Sequence, residues 1–177
     1  MHPFLSNLDS LPSEPPRGTH VRAAVLLPLY WDGREIRLVF IKRPLHMKSH
    51  PGQIAFPGGR VDAEDMTAID TALREAEEEV GIQPEEVEVI GVLNTVTARQ
   101  QDQWIVPVVG WLESEPVFRP NSWEVDKIHT PPLSHFTDDE RWYKRDFAGH
   151  DIWYIEMDDD VLWGASAQML RDMLERL

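Results

Sequence analysis

Apolar positions change period along this chain, and each change marks an element. Val21 to Leu29 is apolar almost throughout and predicts a buried strand. Asp32-Gly33 supplies a turn, and Ile36 to Ile41 predicts the returning strand. Residues 44–59 carry Pro44, Pro51, Gly52, Pro57, Gly58 and Gly59, which allows a loop with at most one short strand around Ile54-Ala55-Phe56. From about Asp65 or Met66 to Val80 the spacing turns helical. Ala68, Ile69, Ala72, Leu73, Ala76 and Val80 share one face, Asp62 or Asp65 is placed to cap the start, and Gly81 closes the end.

Beyond the helix, Val87 to Val96 and Trp104 to Leu112 predict strands. Pro107 inside the second argues for an edge position or a bulge, because proline cannot donate to a ladder. Val125 to Leu133 reads as a strand running into a Pro-Pro loop, and Trp142 to Met157 as a hairpin turning at Ala148-Gly149-His150. Ala167 to Leu177 is a closing helix, with Leu170, Met173, Leu174 and Leu177 in its apolar stripe. Residues 1–17, with Pro3, Pro12, Pro15 and Pro16, predict an extended or poorly ordered leader ahead of one domain over 18–177. Strands, one central helix, more strands and a final helix make an α+β fold with a mixed sheet, not alternating βαβ units.

Composition narrows the partners. A net charge of −14 argues against general affinity for nucleic acid or an anionic membrane. No apolar stretch reaches the ~20 residues that span a bilayer. The absence of cysteine excludes disulfides, thiolate metal sites and thiol nucleophiles, and is compatible with a reducing compartment. Residues 1–18 do not resemble a signal peptide and Glu175-Arg176-Leu177 is not a peroxisomal address, so the cytoplasm is the default expectation. The oligomeric state is left open, a homodimer included. Against the acidic background, Lys42, Arg43, His46, Lys48 and His50 form one basic patch, a solvated loop or a receiver for an anionic small molecule with equal weight.

Glu75, Glu78 and Glu79 sit where helix physics would not put them. At about 100° per residue they fall within roughly 80–100° of arc at the helix end. Like charges three and four apart cost ~0.2–0.5 kcal/mol per pair, and anions in the last turn oppose the helix dipole by ~0.3–1 kcal/mol each. A bound divalent cation turns that penalty into attraction, and oxygen donors suit Mg²⁺ or Mn²⁺ rather than zinc. Glu77 points away from the other three. Just before the helix, Gly-Gly-Arg at 58–60 lets main-chain groups approach a phosphate or offer a carbonyl to a metal.

Taken together, Gly59 and Arg74-Glu75-x-x-Glu78-Glu79-x-Gly81-Ile82 resemble the Nudix box, Gly-x5-Glu-x7-Arg-Glu-u-x-Glu-Glu-x-Gly-u with u aliphatic; the second half matches with Ala76 at the first u. The resemblance implies a Nudix-type α/β/α sandwich with a mixed central sheet, the box helix and a C-terminal helix. It implies metal bound by Glu75, Glu78, Glu79 and the Gly59 carbonyl, with Arg74 orienting a carboxylate. The first half departs: fourteen residues separate Gly59 from Arg74 where the box has thirteen. The first box glutamate therefore falls on Asp65 or Met66, and its role is unassigned.

Upstream, the run from Ile41 to Gly59 is similar to the segment preceding the box in coenzyme A diphosphatases, through Arg43, Lys48, Gly52, Ile54, Ala55 and Phe56 to Gly59. Ile41 and Pro44 depart from that pattern, while the longer box spacing agrees with it. The implied reaction is metal-dependent cleavage of coenzyme A or an acyl derivative to 3′,5′-ADP and a 4′-phosphopantetheine species. Arg43, Lys48, His50, Gly58 and Arg60 are the implied substrate contacts, and Glu75 or Glu124 the base, with Glu140 behind them. Two other readings stand beside it: a Nudix hydrolase of another nucleotide such as ADP-ribose or a dinucleoside polyphosphate, and a Nudix module that senses a nucleotide without cleaving it.

Overall fold

The computed structural model of the protein describes residues 3–15, 21–98, 103–147 and 149–177. In chain order its strands before the central helix are β1 (Val21–Trp31), β2 (Ile36–Leu38), β3 (Phe40–Lys42), β4 (Ile54–Ala55) and β5 (Gly58–Arg60). Helix α1 (Ala68–Val80) follows, then β6 (Glu88–Val92), β7 (Val96–Ala98), β8 (Gln103–Leu112) and β9 (Lys127–His129). Strands β10 (Tyr143–Phe147), β11 (His150–Met157) and β12 (Asp160–Trp163) lead into helix α2 (Gly164–Leu174).

The central sheet is mixed, running β2-β1-β8-β6 with β5 added to β1 and β7 to β8. Strands β1 and β8 are parallel, and the other pairings are antiparallel. Both faces of this pair are buried, which is why β1 is apolar almost without interruption. Ala24, Leu26 and Tyr30 pack with Val106 and Val108 beneath α1, while Leu27 and Leu29 face the opposite core with Val109 and Trp111. Helix α2 covers that second core through Ala167, Met169, Leu170 and Met173. The result is the α/β/α sandwich of the expected α+β class.

Local chemistry revises several expectations. The strand expected over Ile36–Ile41 divides between two sheets. Its pairing with β1 ends at Leu29–Leu38, next to Pro28, which has no N–H to give. Val39 N–H still reaches the Pro28 carbonyl at 3.1 Å, and β3 then pairs with β4 and β9 instead. Pro107 lies on an interior strand, not an edge. Its carbonyl accepts from Leu93 N–H at 2.9 Å, so its missing N–H faces the interruption between β6 and β7.

Helix α1 is capped by Thr67, not by Asp62 or Asp65. Thr67 Oγ1 accepts from the Asp70 N–H and Asp70 Oδ2 from the Thr67 N–H, a reciprocal capping box. Gly81, at φ 80°, ends it as expected. The hairpin β10–β11 forms as expected, although Ala148 of its turn lies outside the described residues, and β12 adds a third strand that the periodicity did not reveal.

The expected extended leader is instead a 3-10 helix over Pro3–Ser10. Leu5 and Leu8 are fully buried with Leu11 close behind, and the Pro12 carbonyl accepts from the Val92 N–H at 2.8 Å. The leucine spacing of three lets one edge of the short helix close the α2-side core. Leu8→Ala is expected to cost about 2–5 kcal/mol in chemical denaturation; a freely extended leader would leave the midpoint unchanged.

Candidate active site

Strand β5 and the end of α1 are joined through carboxylates. Pairing of Ala24 with Gly59 and Val25 with Gly58 fixes the glycine turn against β1. Glu79, 1% exposed, accepts the Gly58 N–H through Oε2 at 2.8 Å. The Glu75 carboxylate lies over the Gly59 Cα so closely that any Cβ there would collide with it. A side chain at 59 would therefore displace the Glu75 carboxylate, whereas at Gly58 a Cβ would strike the Ala24 and Val25 backbone itself. The N–H of Gly58, an expected phosphate contact, is the one that meets Glu79.

Arg74 is the hub of the exposed half. Its Nε and Nη2 donate to both oxygens of Asp65 at 3.0 Å, a bidentate pair. Nη1 donates to Glu75 Oε1 at 2.9 Å and to Glu78 Oε1 at 3.4 Å, and Nη2 also reaches the Arg60 carbonyl at 3.1 Å. Asp65 is held further by Thr71 Oγ1 and the Asp62 N–H, each at 2.8 Å. The guanidinium beside it holds the Asp65 carboxyl well below the usual carboxylate range. Of the two positions on which the first box glutamate falls, Asp65 is thus the one engaged by Arg74, while Met66 is exposed.

Electrostatics differ along the cluster. Burial pushes the Glu79 carboxyl up to about 8, offset in part by the Gly58 N–H and by Arg43, and raised further by Glu75 and Glu124. Burial also raises Glu75, against the lowering effect of Arg74. Arg43 Nη1 stands 4.0 Å from Glu79 Oε1, a distance that compensates the charge only in part. Among the described residues no group of three or more His, Asp or Glu side chains is gathered to hold a metal ion. Arg74 draws Glu75 and Glu78 toward itself, while Glu79 is turned to Gly58. The donors nonetheless fit a hard divalent cation in kind: they are carboxylate oxygens, and the two most buried are held against their preference for charge.

Other candidates fall at varying distances from this centre. Glu124 follows a turn whose Asn121 N–H donates to the Glu79 carbonyl at 2.9 Å, and its charge acts on both Glu75 and Glu79. Glu140 lies exposed on a separate 3-10 turn over Asp139–Arg141. Arg43 also anchors its loop, donating its N–H to the Gln53 carbonyl and accepting from Gly52, both at 2.9 Å. Lys48 is exposed on that loop, and the His50 ring meets Gln53 Oε1 at 3.0 Å. Arg60 is exposed, and it is its carbonyl that joins the Arg74 network. Asn121, to which the sequence reading gave no role of its own, positions this turn through its side-chain amide.

A family model described as NUDIX domain matches residues 19–149. A protein of Enterobacter sp. (strain 638), described as "Uncharacterized Nudix hydrolase NudL", is 40% identical over 156 residues, covering 86% of this chain and 80% of the relative. Its namesake in Escherichia coli (strain K12) is 37% identical over 176 residues, covering 96% and 91%. Among solved structures, a C. elegans Ap4A hydrolase binary complex matches with a TM-score of 0.54 at 18% identity, over 64% of this chain and 81% of that one. At that identity the likeness shows the fold alone.

The raised Glu79 carboxyl sets a pH dependence. Between the ordinary glutamate value of 4.5 and about 8, folded Glu79 retains its proton while the unfolded chain has lost it. Stability therefore falls as pH rises across that window and levels off above it. In metal-free buffer, Glu79→Gln is expected to match wild type near pH 4.5 and to exceed it at pH 8 in thermal melts. Parallel curves for the two proteins would refute the assignment.

Proposed function

The chain belongs to the Nudix family, and on that premise we propose that this Nudix hydrolase cleaves the diphosphate linkage of coenzyme A or an acyl-coenzyme A. Its products are 3′,5′-ADP and 4′-phosphopantetheine or the acyl form. The observation that carries this reading is Arg43. It opens the segment similar to coenzyme A diphosphatases, and it turns its guanidinium toward Glu79 while its loop carries Lys48 and His50. A cation beside the carboxylates and a basic loop beyond it suit a diphosphate with a further phosphate, in a chain otherwise strongly acidic.

Glu75, Glu78, Glu79 and the Gly59 carbonyl would hold Mg²⁺ or Mn²⁺. That ion, when bound, neutralises the diphosphate and acidifies a water molecule. The chain itself supplies position and a proton acceptor. Asp65 fixes Arg74, and Arg74 fixes Glu75 against Gly59. Water adds to one phosphorus, the bridging oxygen leaves with the other, and a carboxylate of Glu75 or Glu124 takes the proton. A reducing compartment such as the cytoplasm suits a protein without cysteine.

Turnover measured with coenzyme A and with ADP-ribose, each with and without Mg²⁺, tests the reading. Coenzyme A is expected to be the faster substrate, with activity lost in EDTA; faster hydrolysis of ADP-ribose would reject the assignment. Glu75→Gln is expected to lower kcat on the order of 10²–10⁴-fold with the melting curve retained. Glu77→Gln, on the exposed side of the same turn, serves as the unaffected control.

A further inference from the structure

Trp123 is 75% exposed, whereas the other six tryptophans are buried or partly buried. An indole left in water costs the fold hydrophobic area of about 150–250 Å² that a ligand can cover instead. Exposed aromatic side chains on mobile loops are common, but the backbone that carries this one is held in place. Asn121 Oδ1 accepts the Trp123 N–H at 3.1 Å, and Asn121 Nδ2 donates to Glu124 Oε1 at 3.0 Å. The Asn121 carbonyl accepts from both Glu124 and Val125, at 2.9 and 2.8 Å, and its N–H is tied to the Glu79 carbonyl at 2.9 Å. The turn is thus bolted to the end of α1, at the residue whose carboxylate lies deepest in the site.

The flank of the indole is steadied as well. His46 Nε2 stands 3.1 Å from the Trp123 carbonyl, and its ring meets the indole edge-on at 6.0 Å and 85°. That contact couples the turn to the basic loop opened by Arg43. The result is an indole carried on a well-fastened turn, next to Glu124 and open to water.

We propose that Trp123 is the platform on which the flat purine base of the substrate's nucleotide half stacks, making it a specificity residue of this site. The inference rests on the reading that the site cleaves a nucleoside diphosphate derivative. A π-face accepts a purine without hydrogen-bond readout, so Trp123 would select for a planar base and leave the acyl or pantetheine half unread.

Kinetics with coenzyme A and binding of 3′,5′-ADP test this directly. Trp123→Ala is expected to raise KM for coenzyme A by about tenfold or more, with kcat within about twofold of wild type. Trp123→Phe should restore most of the loss, and inhibition by inorganic pyrophosphate, which has no base, should be the same in all three proteins. Quenching of tryptophan fluorescence by 3′,5′-ADP should be present in wild type and lost in Trp123→Ala. An unchanged KM, a Phe variant as impaired as Ala, or a loss confined to long-chain acyl-coenzyme A would overturn the proposal. If wild type cleaves no diphosphate at all, the enzymatic reading fails separately, and the quenching experiment still decides the role of Trp123.

Discussion

The Glu79 carboxylate accepting the Gly58 N–H is the contact on which the geometry of this site depends. It ties the last turn of α1 to β5, and β5 is in turn held by its ladder to β1. A carboxylate that is 1% exposed is costly to ionise, and its single backbone donor and the distant Arg43 repay only part of that cost. The seam therefore keeps an unmet demand for positive charge at the point where helix and sheet meet. A place where a fold breaks its own local rules in this way is where a functional site is expected.

Arg74 resolves the outer half of the same problem in a different way. One guanidinium serves Asp65, Glu75, Glu78 and the Arg60 carbonyl, so charges that would repel along the helix share a cation from the same helix. Removing Asp65 from this arrangement would release the fork that aims Arg74 at Glu75. Ahead of the helix, Arg74 reaches back nine positions to Asp65, while Thr67 supplies the cap expected of Asp62 or Asp65.

The rest of the fold places two loops around this seam. Arg43 leaves β3 on the face of Ile41, toward α1, while Lys42 leaves on the other face and pairs with Asp160 of β12 at 2.6 Å. Strand alternation thus divides adjacent basic residues between the site and the structure behind it. On the other side Asn121 fastens the Trp123-Glu124 turn to the helix end. The site is assembled from segments far apart in the chain that meet at one end of α1.

Much of this was legible in the residues alone. The helical period over Ala68–Val80, the stop at Gly81, the buried run of β1 and the misplacement of Glu75, Glu78 and Glu79 are local facts, set by spacing and by the energetics of one helix. The family could be read for the same reason, since its motif is contiguous. What the sequence could not determine depends on partners remote in the chain. Pro107 sits on an interior strand because a gap in β6–β7 happens to face its missing N–H. Leu5 and Leu8 are core residues because an open edge of the second core receives them. The Gly58 N–H meets Glu79, and Asp65 meets Arg74, because tertiary folding sets the distances between β5, the turn before α1 and the helix itself. Burial, which raises the Glu79 carboxyl, is a property of the assembled molecule and of no segment within it.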